Sequence, residues 1–194
     1  MSSNFHNIKA RRKVLEKVNR QILACKICQS RSVGMLVPGE GNASLPVFIV
    51  GEAPGKKEAQ TGRPFIGRAG KVLRGLLEEI GIDPENVFIT SAVKYLPSYV
   101  TPKPVDIEHG KWHLEKQLNA LKPKIVVVLG RYSALSVIGR SVSLSTEHGK
   151  IVLNKENRKC FVTYHPASVL YNPKLRPTLK KDFLTLKKLL QKSI

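Results

Sequence analysis

The chain has 194 residues, with 33 Lys and Arg against 14 Asp and Glu, a formal net charge of +19 and three cysteines. That length suits one domain with a full hydrophobic core. There is no apolar run of the about 18 residues a membrane span needs, the basic N-terminus to Lys17 lacks the apolar core of a signal peptide, and an odd cysteine count builds no disulfide framework. A cytoplasmic, monomeric protein is expected.

Apolar Ile8, Val14, Leu15, Val18 and Ile22 recur at helical spacing among basic residues and predict an amphipathic helix over 7–24. Val47 to Val50 is a short buried strand, followed at once by a Gly-rich segment. A helix is predicted from Ala69 to Ile80, with Gly81 as its stop. Val87 to Val93 is the second strand, Pro97 to Pro104 a loop, and Val105 to Leu121 a helix with Leu114, Leu118 and Leu121 on one face. Ile125 to Leu129 is a third strand, uninterrupted and apolar as parallel strands buried on both faces are. A short helix over 131–138 and a polar hairpin or surface excursion over 140–158 precede a fourth strand, Cys160 to Thr163. The last helix, Arg176 to Gln191, turns Leu179, Phe183, Leu186 and Leu190 inward.

Strands alternating with helices predict a single three-layer α/β domain: a central, mostly parallel four-stranded sheet with helices on both faces. Residues 1–30 hold the basic helix and a Cys-x-x-Cys, and 45–194 the α/β core. In such sheets ligands bind beyond the carboxyl ends of the strands, which brings Gly51 to Gly70, Ser91 to Pro97 and Tyr164 to Ser168 toward one crevice. Lys56, Lys57, Arg63, Arg68, Lys71, Arg74 and Lys94 flank it. Basic residues recur along the whole chain rather than in one amphipathic segment, which favours nucleic acid over an acidic membrane surface as the partner, with phosphate contacts that weaken steeply in salt.

The run Gly51-Glu52-Ala53-Pro54-Gly55 through Gly62-Arg63-Pro64-Phe65-Ile66-Gly67-Arg68-Ala69-Gly70 fits neither a P-loop nor a dinucleotide fingerprint. It resembles the first motif of the family 4 uracil-DNA glycosylases at nearly every position. Val87 to Lys94, Leu121 through Arg131, and Tyr164-His165-Pro166-Ala167-Ser168 resemble three further blocks of that family, in the same order.

The resemblance implies a uracil-DNA glycosylase-like fold and a monofunctional hydrolase of the N-glycosidic bond. DNA is bent and the target nucleotide flipped into the crevice, at a cost of a few kcal/mol. Gly51, Ala53, Phe65 and Ser91 would hold the base, with Phe65 stacked on it; without the motif, Phe65 reads as an ordinary core aromatic. His165 would donate to the base O2 as negative charge develops there, a contribution of roughly 3–4 kcal/mol, where a lone His after a strand is otherwise a satisfied surface residue. Glu52 and Glu58 are the carboxylates for positioning water or favouring the sugar cation; the plainer readings are a helix cap and an exposed charge in a Lys-rich turn. Arg63, Arg68 and Lys94 would meet phosphates. Pro166, Ala167, Ser168 and Val169 would press on the duplex and Leu170 would wedge into the stack; the plainer reading is that Val169 and Leu170 begin core packing.

The departures are specific. Ser91 stands where the family commonly has Asn, whose amide reads both donor and acceptor of the uracil edge; a bidentate contact carries roughly 1–3 kcal/mol of discrimination. Ala59 replaces a second carboxylate. The family's [4Fe-4S] cluster needs four cysteines, of which only Cys25 and Cys28 are present; Tyr95 takes the third place and the fourth falls near Gly110, while Cys160 reads as a small buried hydrophobe. His109 and His113 bracket Gly110 on one helix. With Cys25 and Cys28 they make a Cys₂His₂ set of the kind that binds structural zinc, against the reading of two solvated histidines and a relict Cys pair. Catalysis requires no cofactor on this reading. Two alternatives stay open: the same fold acting on hypoxanthine or xanthine, and a damaged-DNA-binding protein without excision.

Overall fold

In the computed structural model, which describes residues 2–42 and 47–191 with side chains from residue 9 onward, helices α1 (Ser2–Leu23) and α2 (Lys26–Arg31) come first. Leu15, Val18 and Ile22 of α1 are buried and Val14 faces solvent; the side chain of Ile8 lies outside the described residues. Then follow β1 (Val47–Gly51), α3 (Lys56–Thr61), α4 (Arg68–Glu79), β2 (Phe88–Ser91), α5 (Pro104–Leu121), β3 (Ile125–Leu129), α6 (Arg131–Ile138), α7 (Leu144–Glu147), β4 (Lys150–Leu153), β5 (Lys159–Thr163), α8 (Ser168–Tyr171) and α9 (Arg176–Gln191).

The sheet order is β2-β1-β3-β5-β4. The first four strands in that order run parallel and β4 runs antiparallel to β5. The expected four-stranded sheet is therefore five-stranded. The polar stretch over 140–158 holds α7 and then the first arm and turn of a hairpin whose second arm is β5; that first arm adds an edge strand, the half-exposed Lys150–Leu153, which carries a weak apolar signal. Asn154 closes the turn by accepting from the amides of Glu156 and Arg158 at 3.1 and 2.9 Å.

The central strands are apolar throughout, yet their side chains still alternate. Val47, Ile49, Ile125, Val127, Leu129 and Phe161 face Leu73, Leu76 and Leu77 of α4 and Leu179, Phe183, Leu186 and Leu190 of α9. Phe48, Val50, Val126, Val128, Cys160 and Val162 face Leu114, Leu118 and Leu121 of α5, with α6 and Leu15 of α1. Three layers result, as predicted. Truncating Phe161 to Ala would cost about 3–5 kcal/mol. Gly81, at φ +75°, stops α4: its amide and that of Ile82 return to Glu78 and Leu77. Among the described residues no helix is long and apolar enough to cross a membrane.

Gly51 pairs with Ser91, and Leu129 with Thr163, at the carboxyl edge of the sheet. Everything that follows those four positions emerges on one side of the molecule.

Candidate active site

A cavity of about 190 Å³ opens at that edge between Ala53 to Gly55, Glu58, Phe65, Gly67 to Ala69, Ser91 and His165. It is smaller than the about 300–1,000 Å³ of pockets for drug-sized ligands and on the scale of a single base. Three of its walls come from the three segments that the topology was expected to bring together.

Phe65 forms one wall. It sits in the left-handed region at φ +51°, a conformation that costs a non-glycine residue roughly 1–2 kcal/mol. Two charged groups hold it there. Glu58 Oε1 accepts from the amides of Ile66 and Gly67 at 2.9 and 2.8 Å. Arg74 donates through Nε to the Phe65 carbonyl at 3.2 Å, and its Nη2 is paired with Glu40. The ring lies over Gly51, where an added Cβ would stand 2.5 Å from Cζ. Gly51 is therefore glycine because the ring occupies the space of a side chain. Gly70 lies under the Phe65 carbonyl and leaves no room for a Cβ.

His165 faces this ring, with centroids 5.9 Å apart. Its Nδ1 accepts the amide of Ala167 at 3.1 Å, so the ring proton resides on Nε2. Burial pushes the imidazole down to about 4. The side chain is thus a neutral N–H donor at neutral pH, with a fixed tautomer. Gly130, at φ +88°, lets His165 approach: an added Cβ would meet His165 Cβ at 3.2 Å.

A model of the uracil DNA glycosylase superfamily matches residues 38–188. A type-4 uracil-DNA glycosylase of Sulfurisphaera tokodaii is 40% identical over 187 residues, covering 90% of this chain and 84% of its own. The chain belongs to the uracil DNA glycosylase superfamily. Type-4 enzymes of Archaeoglobus fulgidus and Thermotoga maritima are each 35% identical, over 87% and 94% of this chain and 89% and 97% of their own.

The expected site residues divide in the structure. Gly51, Ala53, Glu58, Phe65, Ser91, Arg68 and His165 gather at the cavity or its floor. Glu52 sits beside it, half-buried, with no side-chain hydrogen bond or ion pair among the described residues, and burial raises its pKa. Glu58 is not an exposed turn charge; it is buried and braces the loop. Val169 joins the core, while Leu170 is exposed. Ala167 and Ser168 are half-buried; Pro166 is buried and shapes the turn behind His165 rather than offering a surface.

Lys94 is a correction. It was expected to meet DNA, but it is fully buried, donating to Thr90 Oγ1, the Ser91 carbonyl and Gln117 Oε1 at 2.8, 2.6 and 2.7 Å. All three ammonium protons are used. Burial lowers its pKa to about 7, and its work is to anchor the Ser91 backbone from below. Arg74 likewise turns inward to Glu40. Arg63 remains exposed but is forked onto Glu40 at 2.8 and 3.2 Å. Arg68 is left exposed at the cavity, with exposed Lys56 and Lys57 on α3 and Lys71 on α4. Glu40 was missed entirely, and Arg74 was read only as a surface charge. A signal existed: Arg74 follows Gly70 by one helical turn and so shares its inward face.

A second cluster lies apart from the cavity. The ligating atoms of Cys25, Cys28, His109 and His113 all fall within 4.8 Å of one another. His109 Nε2 is 3.4 Å from both sulfurs, and His113 Nε2 is 3.4 Å from Cys28 Sγ. These four can hold a metal ion. The iron–sulfur cluster that the family resemblance implies does not fit. Tyr95 is fully buried at the third position with its hydroxyl donating to Asp106 at 2.6 Å. At Gly110 an added Cβ would collide with the Ala92 carbonyl, so the backbone itself leaves no place for a cysteine. Cys160 is buried in β5, as expected.

Proposed function

We propose that this chain is a monofunctional DNA glycosylase that removes uracil from DNA by hydrolysing the N-glycosidic bond, leaving an abasic site. The observation that carries the reading is the pairing of Phe65 with a neutral His165 across a base-sized cavity. Phe65 is nearly buried, so a base reaches it only by leaving the helical stack; mismatched uracil leaves most readily. The exposed lysines and Arg68 at the mouth hold the flanking phosphates, and binding weakens as salt rises.

As the bond breaks, negative charge grows on the departing pyrimidine and positive charge on the sugar. His165 Nε2–H donates to the base oxygen. A neutral donor suits this role, because it stabilises the anion without having to give up a proton. Glu58 keeps the loop of Phe65 in shape. Glu52, with no side-chain hydrogen bond or ion pair among the described residues and next to the Gly51 floor, is the carboxylate for the attacking water and the sugar cation; burial raises its pKa, which moves the acid limb of activity upward from that of an exposed carboxylate. The Cys₂His₂ set shares no residue with the cavity, and the roles proposed for the reaction fall to protein groups and water.

Ser91 favours a second reading, in which the same machinery accepts another deaminated base. A single hydroxyl reads one edge group where an amide reads two. The test is excision from labelled duplexes carrying uracil, hypoxanthine, xanthine or normal bases, cleaved with alkali after incubation. Release of uracil alone is expected. Release of a purine would move the specificity and keep the mechanism; tight binding with no strand breakage would overturn the enzymatic reading.

A further inference from the structure

We propose that Cys25, Cys28, His109 and His113 bind a single zinc ion that replaces the iron–sulfur cluster as the clasp between the N-terminal helices and α5. The inference does not rest on the proposed excision activity.

Distances decide between a metal site and chance proximity. In a tetrahedral zinc site with Zn–S near 2.3 Å and Zn–N near 2.0–2.1 Å, a sulfur and a nitrogen on one edge stand about 3.6 Å apart. Three S···N separations here are 3.4 Å. Ordinary hydrogen bonding accounts for them less well. His109 Nε2 is equidistant from two sulfurs but has one proton or one lone pair to offer. One ion at the centre satisfies all four atoms together. A four-iron cube would instead spread its ligands around a body several atoms wide.

The donor set selects the ion. Two thiolates and two imidazoles in a tetrahedron suit zinc, and two thiolates with two neutral imidazoles cancel its charge. That neutrality matters, because Cys28 and His113 are fully buried beside Leu36, Val93, Tyr95 and Ile107. Four protein ligands leave no open position for water, so the ion is structural. Cys25 caps α2 directly after α1, while His109 and His113 lie one turn apart on α5. The ion therefore ties the basic α1 and the α1–α2 corner to the helix that covers the sheet. Gly110 between the histidines shows how the exchange preserves place: the backbone stays against Ala92, and its two neighbours along the helix face supply ligands.

The test is metal analysis of the full chain, purified without chelator from zinc-supplemented medium. Zinc near one equivalent, with neither iron nor acid-labile sulfide, is expected. Replacement by cobalt(II) should give the intense visible bands of a tetrahedral thiolate site. Cys25→Ser and His109→Asn each remove a direct ligand and should weaken zinc retention against a chromophoric chelator by more than the about 10–100-fold that loss of an outer-shell partner costs, and lower the melting temperature of the zinc form. Uracil excision at low temperature should survive in these variants, since neither residue touches the cavity. A brown protein with iron and sulfide overturns the proposal. So does less than about half an equivalent of zinc together with a melting temperature indifferent to added zinc. If the variants fail to fold, the cobalt spectrum of the unmodified chain still decides.

Discussion

The base cavity and the Cys₂His₂ corner lie on opposite fates of the same ancestry. At the cavity the motif residues other than Ser91 and Ala59 match the family pattern and the geometry is built from them: Phe65 in a left-handed conformation, braced by Glu58 and Arg74, above a glycine its ring requires. At the corner the residue types have changed and so has the geometry: four ligand atoms converge on one point, two of them from histidines on α5. A reacting group must present one donor at one place, so its identity is constrained. A structural clasp needs only enough ligands around a point.

If that contrast is right, cavity variants should lose activity with metal content intact. The largest effect belongs to His165→Ala, expected to lower kcat by about 10²–10³-fold, the cost of one such donor. Unchanged zinc and near-normal DNA binding should accompany it. Unaltered excision would remove His165 from the mechanism.

The same residue links the cavity to stability. Its folded pKa of about 4 lies below the ordinary 6.5. Its contribution is present in full above pH 6.5 and is lost as pH falls toward 4, by at most about 3 kcal/mol. Urea midpoints at pH 7 and pH 4.5 should therefore converge in His165→Ala relative to the unmodified protein. An identical drop in both would assign the acid sensitivity elsewhere.

Ser91→Asn comes next. The added amide should sharpen uracil over competing bases by about 1–3 kcal/mol, read as relative kcat/KM across the oligonucleotide panel. Ser91 is buried at the cavity floor with its carbonyl held by Lys94, so the new side chain has a fixed root. Unaltered ratios would mean that position 91 does not read the base.

The sequence made the contrast partly visible. Apolar runs and helical spacing were enough for the parallel strands, because those segments are buried by their own periodicity. The edge strand Lys150–Leu153 escaped, since its side chains are exposed or only half-buried. The four motif blocks placed Phe65 and His165, and the pair His109 and His113 was legible because four residues make one helical turn. Charge was the misleading signal. Lys94 and Arg74 look like phosphate ligands in a chain of +19, yet each is spent inside, one on Ser91 and one on Phe65. No composition distinguishes a lysine that faces solvent from one whose three protons meet Thr90, Ser91 and Gln117.

Arg74 offers the finest test of the cavity side. It touches neither base nor sugar in the proposed reaction; it holds a backbone carbonyl and, with Glu40, the entry to α4. Arg74→Met should leave kcat within about twofold and raise KM about tenfold, the scale of one charge-assisted hydrogen bond, because the loop relaxes from its left-handed turn and the stacking ring is no longer waiting in place. Arg74→Lys should not restore it: a point charge keeps Glu40 company but lacks the planar fork that serves Glu40 and the Phe65 carbonyl together. A loss confined to melting temperature, with KM unmoved, would make Arg74 ordinary scaffolding. Rescue by Lys would show that only its charge counts.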